Sequence, residues 1–309
     1  MAQSTPVTIG TRGSPLALAQ AREVRARLAE AHALDPETIL LRVIRTSGDM
    51  VQDRPLTDIG GKGLFTKEID QALIDGKIDL AVHSAKDLPT VLPLELAIAG
   101  YLPREDVRDA FISRKSHDLA GLPPGAVVGT ASLRRQAMVR RLRGDLRVEL
   151  LRGNVETRLR KLDEGMVDAT LLAMAGLNRL GLSQAVTSVL GADVFPPAVG
   201  QGAIAICTRA ADQRIRELLA VILDAATEHA LAAERAFLAV LDGSCRTPIA
   251  GHATVNGNSL EFYGLILRPD GSAGLETRRQ GDISQAALLG ADAGAELKQL
   301  APSDFFTHG

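Results

Sequence analysis

The sequence contains few of the residues that mark several common protein classes. It has no tryptophan, only 3% aromatic residues and two cysteines in 309 residues. Two cysteines, Cys207 and Cys245, cannot build a disulfide framework or a cysteine zinc cluster. The shortage of aromatic residues and the formal net charge of −2 argue against a nucleic-acid partner, which would need stacking rings and a basic surface.

Segments that would interact with a membrane are also lacking. No apolar run is long enough to span a bilayer, and the first residues, Met1-Ala-Gln-Ser-Thr-Pro6, lack the basic and apolar regions of a signal peptide. We therefore expect a cytoplasmic protein without a membrane partner. We expect no metal site either, because His83 has no second histidine or cysteine at ligand spacing.

The chain is long for one domain, and it alternates strand and helix patterns. Hydrophobic residues make up 46% of it and charged residues 23%, as in ordinary globular proteins. Val7–Gly10 reads as a strand, and a turn ending in Ser14 leads into a helix that Ser14 can cap. Val127–Gly129 and the residues after it repeat this arrangement. The alternation predicts an α/β fold with parallel sheets and ligands at the carboxyl ends of the strands.

The turns after these strands are rich in hydroxyl groups and arginine. Between Thr130 and Lys161 ten basic residues, nine of them arginine, face three acidic ones. Arginine binds carboxylates and phosphates through two parallel hydrogen bonds, and helix N-termini attract anions. The alternative is a solvated basic helix face, which we expect for Arg140, Arg141, Arg143, Arg147 and Arg160. The repeated pattern favours a cleft that binds a small polyanionic ligand.

Two junctions in the sequence predict the domain boundaries. Tyr101–Asp106 separates the first α/β segment from the second, and Phe195–Gly202 has the composition of a crossover. We expect a discontinuous lobe 1 (residues 1–102 plus 201–222), a lobe 2 (103–200) and a small C-terminal α+β domain (223–309). In this last domain, Asp270-Gly271 predicts a hairpin.

Two loops contain candidate chemical groups. His83-Ser-Ala-Lys-Asp-Leu-Pro89 follows a strand and combines a hydroxyl, a lysine and a carboxylate, although Lys86 and Asp87 could simply pair with each other. Cys245 lies in a small-residue loop after a helix, and Arg246 would favour its thiolate. The residues alone leave open a free thiol on a helix-capping loop, a non-catalytic anion-binding module and a cysteine acyl-transferase.

Several segments resemble motifs of the porphobilinogen deaminases (hydroxymethylbilane synthases), the transferases that join four pyrroles head to tail in haem and chlorophyll biosynthesis. They occur in the order of that family from about residue 8 to 250, and the resemblance is looser beyond. The matching segments are Thr11-Arg-Gly-Ser-Pro-Leu-Ala-Leu18, Gly60-Gly-Lys-Gly-Leu-Phe65, His83-Ser-Ala-Lys-Asp-Leu-Pro89, Gly129-Thr-Ala-Ser-Leu-Arg-Arg-Gln136, Leu151-Arg-Gly-Asn-Val-Glu-Thr-Arg158, Pro197-Ala-Val-Gly-Gln-Gly-Ala203 and Gly243-Ser-Cys-Arg-Thr-Pro248.

The resemblance implies two lobes like those of type II periplasmic binding proteins around a cleft, with a third domain that carries the cysteine. It implies porphobilinogen as substrate, a monomer, and a dipyrromethane cofactor joined to Cys245 by a thioether. It makes Asp87 the catalytic residue and places Lys62 and Phe65 in a flexible loop. The residues implied to bind carboxylates of cofactor and substrate are Arg12, Ser14, Ser84, Lys86, Thr130, Ser132, Arg134, Arg135, Arg152, Asn154, Arg158 and Arg179.

Overall fold

The structure is a computed structural model that describes residues 7–50, 65–241 and 247–306. The predictions for Lys62 and Cys245 therefore fall outside the described residues. The strands are β1 Val7–Thr11, β2 Ile39–Val43, β3 Leu80–Ser84, β4 Leu96–Tyr101, β5 Asp109–Ser113, β6 Val127–Gly129, β7 Arg147–Glu149, β8 Ala169–Ala173, β9 Ser188–Leu190, β10 Ile204–Arg209, β11 Ile249–Asn256, β12 Ser259–Leu267 and β13 Gly274–Asp282. The helices are α1 Pro15–Ala31, α2 Ser47–Met50, α3 Lys67–Ile74, α4 Leu133–Leu142, α5 Val155–Asp163, α6 Met174–Arg179, α7 Gln213–Leu219, α8 Ala225–Val240 and α9 Ala286–Leu300.

The chain divides into two compact units. Unit 1 consists of Met1–Gln52, Gly61–Arg104 and Ala203–Glu228. Unit 2 consists of Glu105–Gly202 and the C-terminal segment from His229. The finer division into three domains stays a prediction.

Unit 1 is built on a five-stranded sheet with the order β2-β1-β3-β10-β4. β1 runs parallel to β2 and β3, whereas β10 runs antiparallel to both β3 and β4. The expectation of a parallel sheet is therefore wrong for β10. The direction of β10 is opposite because this strand comes from a late part of the chain and not from a strand–helix–strand repeat. Ile9, Leu80 and Ile206 pack beneath Val24 and Leu28 of α1 in one buried core.

Unit 2 repeats this sheet and adds a smaller one. Its five-stranded sheet has the order β7-β6-β8-β5-β9, in which β5 runs antiparallel to β8 and β9. β11, β12 and β13 form a separate antiparallel sheet. One buried cluster joins both sheets, since it contains Val128 and Leu171 from the first and Leu265 and Leu267 from the second. The predicted fold class, α/β with a small α+β segment at the C-terminus, is confirmed.

The same aspartate contact fixes the strand register in both five-stranded sheets. In unit 1, Asp79 Oδ2 accepts a hydrogen bond of 2.8 Å from the backbone N–H of Thr8. In unit 2, Asp168 Oδ2 accepts one of 2.7 Å from the N–H of Val127. Each aspartate precedes a central strand and holds the start of its parallel neighbour. The carboxyl ends of these strands consequently lie side by side, which brings the loops after them together in each unit.

Candidate active site

Unit 1 has a pocket at the carboxyl ends of β1 and β3, beside the start of α1. This is the edge where parallel strands and a helix N-terminus present loop side chains and free N–H groups. We call it the Arg12 pocket, and its lining residues are Arg12, Ser14, Leu16, Ala17, Gln20, Phe65, Val82, His83, Ser84 and Asp87. The structure thus brings four predicted catalytic or binding residues (Arg12, Ser14, Ser84 and Asp87), from two loops distant in sequence, together with Phe65.

Arg12 and Asp87 form the charged part of this pocket. The guanidinium carbon of Arg12 lies 4.1 Å from the centroid of the Phe65 ring, within the range of a cation–π contact. Nη1 of Arg12 lies 4.0 Å from Oδ2 of Asp87, and the Asp87 side chain is 35% exposed. An ion pair this long and this accessible contributes at most about 1 kcal/mol. The Asp87 carboxylate can therefore exchange this partner for a ligand at little cost.

Two hydroxyl groups in the Arg12 pocket have defined hydrogen bonds. Ser14 Oγ caps α1 by accepting from the N–H of Ala17 at 3.3 Å. Gln20 Nε2 donates to Ser84 Oγ at 2.9 Å. Gln20 is buried, and sequence reasoning missed it as a pocket residue. A polar side chain at helical spacing from Ala17 and Val24, on the buried face of α1, was the signal that could have identified it.

His83 lies under this pocket on β3. It is 5% exposed, and its Nε2 atom has no hydrogen-bond partner in the part of the chain that the structure describes. Burial, together with the positive charge of Arg12, lowers the pKa of His83 to about 4. His83 is therefore neutral near pH 7. Next to it, Lys86 and Asp87 belong to a single turn of 3₁₀-helix, Ala85–Asp87, that follows β3 directly.

In unit 2, Thr130 and Ser132 shape the turn between β6 and α4. Thr130 is buried, and its Oγ1 accepts a hydrogen bond of 3.2 Å from the N–H of Ser132. Ser132 Oγ in turn accepts one of 3.4 Å from the N–H of Arg135 and so caps α4. These two predicted ligand-binding hydroxyls hold the helix start that carries Arg134 and Arg135.

Arg134 and Arg135 are buried and share one carboxylate, that of Asp109. Arg134 Nη2 lies 2.6 Å from Asp109 Oδ2, and Arg135 Nη2 lies 2.7 Å from Oδ1. Burial alone would raise the pKa of Asp109, but the charges of Arg134 and Arg135 hold it well below its usual range. Sequence reasoning missed Asp109. The binding of ligand carboxylates by the two arginines stays a prediction.

The remaining predicted residues of unit 2 lie at other loop and helix ends. Asn154 Oδ1 caps α5 by accepting from the N–H of Thr157 at 2.8 Å. Arg158 Nε donates to the carbonyl oxygen of Gly153 at 2.8 Å, and Arg179 Nη2 donates to that of Gly202 at 3.0 Å. Arg152 lies in the same loop as Gly153 and is partly exposed.

These two sets of residues provide basic groups, capped helix starts and an accessible carboxylate at the carboxyl edges of two α/β sheets. Basic groups beside capped helix starts at the carboxyl edge of a sheet are typical of α/β proteins that bind anionic ligands. The chain belongs to the porphobilinogen deaminase family. The family model described as "Porphobilinogen deaminase, dipyromethane cofactor binding domain" matches residues 7–217, and that described as "Porphobilinogen deaminase, C-terminal domain" matches residues 229–299. The chain is accordingly a transferase.

Curated relatives agree over nearly the whole chain. Porphobilinogen deaminase of Nitrobacter hamburgensis is 63% identical over 300 residues, which cover 97% of this chain and 95% of the relative. That of Nitrobacter winogradskyi is also 63% identical, with the same coverage. The predicted family is therefore confirmed.

The comparison with solved structures also matched two substrate-binding proteins. A periplasmic substrate-binding protein of an ABC transporter from Coxiella burnetii matches with a TM-score of 0.45 and 16% identity, covering 71% of this chain and 92% of that one. The methionine-binding protein MetQ matches with a TM-score of 0.44 and 14% identity, covering 70% of this chain and 89% of that one. Across the described ranges, no helix combines the length and the apolar character that crossing a membrane requires.

Proposed function

We propose that this chain is a cytoplasmic, monomeric hydroxymethylbilane synthase in which Asp87 is the catalytic residue and the predicted arginines bind the carboxylates of a growing pyrrole chain. The reaction joins four porphobilinogen molecules head to tail and releases ammonia. The observation that carries the assignment of residues is the Arg12 pocket, where an accessible carboxylate lies beside a guanidinium group and two hydroxyls. No nucleic acid or membrane takes part.

The charge of the substrate explains the arginines. Porphobilinogen carries one acetate and one propionate group, so every ring that is added brings two more carboxylates. Guanidinium groups bind carboxylates through paired hydrogen bonds that are stronger than neutral ones. In unit 1, Arg12 with Ser14, Ser84 and Lys86 would bind the acid groups of an incoming ring. In unit 2, the arginines of the loops after β6 and β7 would bind those of rings already joined.

The cofactor of this family is a dipyrromethane, which we propose is joined by a thioether to Cys245. When bound, it supplies the free pyrrole α-carbon to which substrate rings are added. The described residues of unit 2 suit such a group, whose two rings carry four carboxylates. Arg134 is buried, yet its Nε atom has no hydrogen-bond partner there. Arg134 and Arg135 together carry two positive charges against the single carboxylate of Asp109. Thr130, Ser132 and Asn154 add hydroxyl and amide groups at helix starts that favour anions.

Asp87 would act on the substrate cation. The aminomethyl C–N bond of porphobilinogen breaks, ammonia leaves, and a methylene-pyrroleninium ion remains. The Asp87 carboxylate can accept a hydrogen bond from the pyrrole N–H and stabilise the positive charge as it develops. Its 35% exposure and its long contact with Arg12 keep it available for this contact. Arg12, bound to a substrate carboxylate, would orient the ring against Asp87.

Incubation with porphobilinogen tests this proposal directly. The purified chain should release ammonia and form a product that closes to a porphyrin, and its intact mass should include a dipyrromethane adduct. Acid treatment with Ehrlich's reagent should show the bound dipyrrole. Binding of porphobilinogen without release of ammonia would refute the enzymatic proposal. Size-exclusion chromatography with light scattering tests the monomer.

A further inference from the structure

The buried charges around Asp109 are not balanced among themselves. We call Asp109, Arg134, Arg135 and Gln201 the arginine cluster; all four residues are buried. Two guanidinium groups and one carboxylate sum to a charge of +1. Buried charges are stable only when they are paired and hydrogen-bonded. Burial accordingly lowers the pKa of the Arg134 guanidinium, Asp109 opposes that effect, and Arg135 adds to it.

The arginine cluster also has unused hydrogen-bond donors. A guanidinium group has five N–H donors. Arg134 donates from Nη1 to the carbonyl oxygen of Pro196 at 2.7 Å and from Nη2 to Asp109 at 2.6 Å. Its Nε atom has no partner among residues 7–50, 65–241 and 247–306. A buried positive charge with a free donor is what a carboxylate ligand would complete.

Asp109 fixes the orientation of both arginines. It is the first residue of β5, fully buried, and lies opposite Ala173, the last residue of β8. Oδ1 accepts from Arg135 Nη2 at 2.7 Å and from Arg135 Nε at 3.2 Å. Oδ2 accepts from Arg134 Nη2 at 2.6 Å. One carboxylate thus holds two adjacent guanidinium groups in fixed planes, although the two would repel each other without it.

The same carboxylate connects the arginines to the crossover segment Phe195–Gly202. Gln201 Nε2 donates to Asp109 Oδ1 at 2.9 Å and to the carbonyl oxygen of Val107 at 2.8 Å. The guanidinium carbon of Arg134 lies 5.6 Å from the centroid of the Phe195 ring. Asp109 therefore joins the start of α4, the start of β5 and the crossover segment in one network. A change at any of these points would shift the guanidinium groups.

We propose that Asp109 is a positioning residue for the reaction. It orients Arg134 and Arg135 and limits their summed charge to +1, so that the arginine cluster binds one carboxylate of the pyrrole chain. This inference rests on the proposed function, because that function supplies the carboxylate. Asp109 itself is fully buried beneath the two guanidinium groups. Its effect reaches substrate and cofactor through the two guanidinium groups.

The test compares Asp109→Asn with Asp168→Asn. Asp168 is the control: it directly precedes β8 and also has a cationic partner, Lys115, but it accepts from the backbone N–H of Val127 and lies at the other end of β8 from the arginine cluster. The fraction of molecules carrying the dipyrromethane adduct is measured by intact mass, folding by circular dichroism, and KM and kcat for porphobilinogen separately. In Asp109→Asn the loaded fraction should fall about tenfold or more below that of Asp168→Asn, a loss like that seen when residues that orient metal ligands are replaced.

A second variant keeps the test decisive if Asp109→Asn does not fold. Asp109→Glu retains the charge, so the buried guanidinium groups keep a counter-ion, but it moves the carboxylate by one methylene group and should shift them. Its loaded fraction should fall, or its KM should rise severalfold with kcat less affected. Full loading and wild-type KM in both folded variants, or in Asp109→Glu alone, would overturn the positioning role. If the wild type and Asp168→Asn themselves lack the adduct and release no ammonia, the proposed function fails instead.

Discussion

His83 should make the folded chain sensitive to mild acid. It is buried on β3 with an unpartnered Nε2 atom, and burial together with Arg12 lowers its pKa from an ordinary 6.5 to about 4. Between these two values the unfolded chain takes up a proton that the folded chain does not. The contribution of neutral His83 to the unfolding free energy is therefore complete above pH 6.5 and is lost as the pH falls towards 4.

The size of the effect follows from the interval between the two pKa values. At about 1.4 kcal/mol for each pH unit, the fall from 6.5 to about 4 corresponds to about 3 kcal/mol of unfolding free energy. This loss is a large part of the roughly 5–15 kcal/mol of unfolding free energy that is typical of native proteins. His83→Asn removes the titrating ring but keeps a polar side chain of similar length. The variant should lose less unfolding free energy between pH 7 and pH 4 than the wild type, by about 3 kcal/mol.

Urea unfolding at a series of pH values measures this difference. Unfolding should be followed by circular dichroism, because the chain has no tryptophan for fluorescence. His117→Asn is the matched control, since His117 is exposed. The unfolding free energy of His117→Asn should depend on pH in the same way as that of the wild type. If His83→Asn and the wild type lose the same unfolding free energy between pH 7 and pH 4, the reasoning about His83 is wrong.

Three further predictions concern the reaction and the packing. Asp87→Asn should keep the dipyrromethane adduct but lower kcat about a hundredfold or more, because the charge that faces the substrate cation is removed; normal turnover would exclude Asp87 from the mechanism. Cys245→Ala should yield a protein whose intact mass lacks the adduct, and an adduct that persists would mean attachment elsewhere. Gly290→Ala should cost about 2 kcal/mol or more in urea unfolding, since the added Cβ would overlap the backbone of Ala233, whereas Gly144→Ala meets only an ordinary contact and should be nearly neutral. Equal stability of these two glycine variants would contradict the close approach of α8 and α9.

The fold class could be predicted because the residues that begin helices and form turns lie next to those elements in the sequence. Ser14, Ser132 and Asn154 each precede an apolar helical pattern, and each caps a helix in the structure. The hairpin around Asp270-Gly271 is also confirmed, with β12 and β13 paired in register and Gly271 at a φ of 78°. A left-handed turn favours glycine, so the sequence marks it directly.

The insertion of antiparallel strands could not be predicted. β10 is a short apolar run, and its direction between β3 and β4 depends on where the chain re-enters unit 1. β11 was missed as the third strand of the small sheet, although Gly257 marks its turn with a φ of 59°. Short runs of this kind carry no information about their partners.

The candidate site was predictable in its residue types but not in its pairings. The turn motifs identified Arg12 and Asp87, which the Arg12 pocket brings together. They also identified Arg134 and Arg135, but not the carboxylate that holds them. Asp109 follows Arg108 in an ordinary polar stretch, and only the tertiary structure brings it to α4. A residue that acts through others leaves no spacing pattern in the sequence.

The place of β10 in unit 1 has a consequence for synthesis on the ribosome. β4 pairs with β10, and β10 ends at Arg209, so the first sheet to begin cannot close until that residue has been made. The five-stranded sheet of unit 2 is complete once Leu190 has emerged. Until Arg209 has been made, one side of β3 stays unpaired, while the five-stranded sheet of unit 2 can already form. Chaperones would bind a nascent chain in which the sheet of unit 2 is complete before the sheet of unit 1.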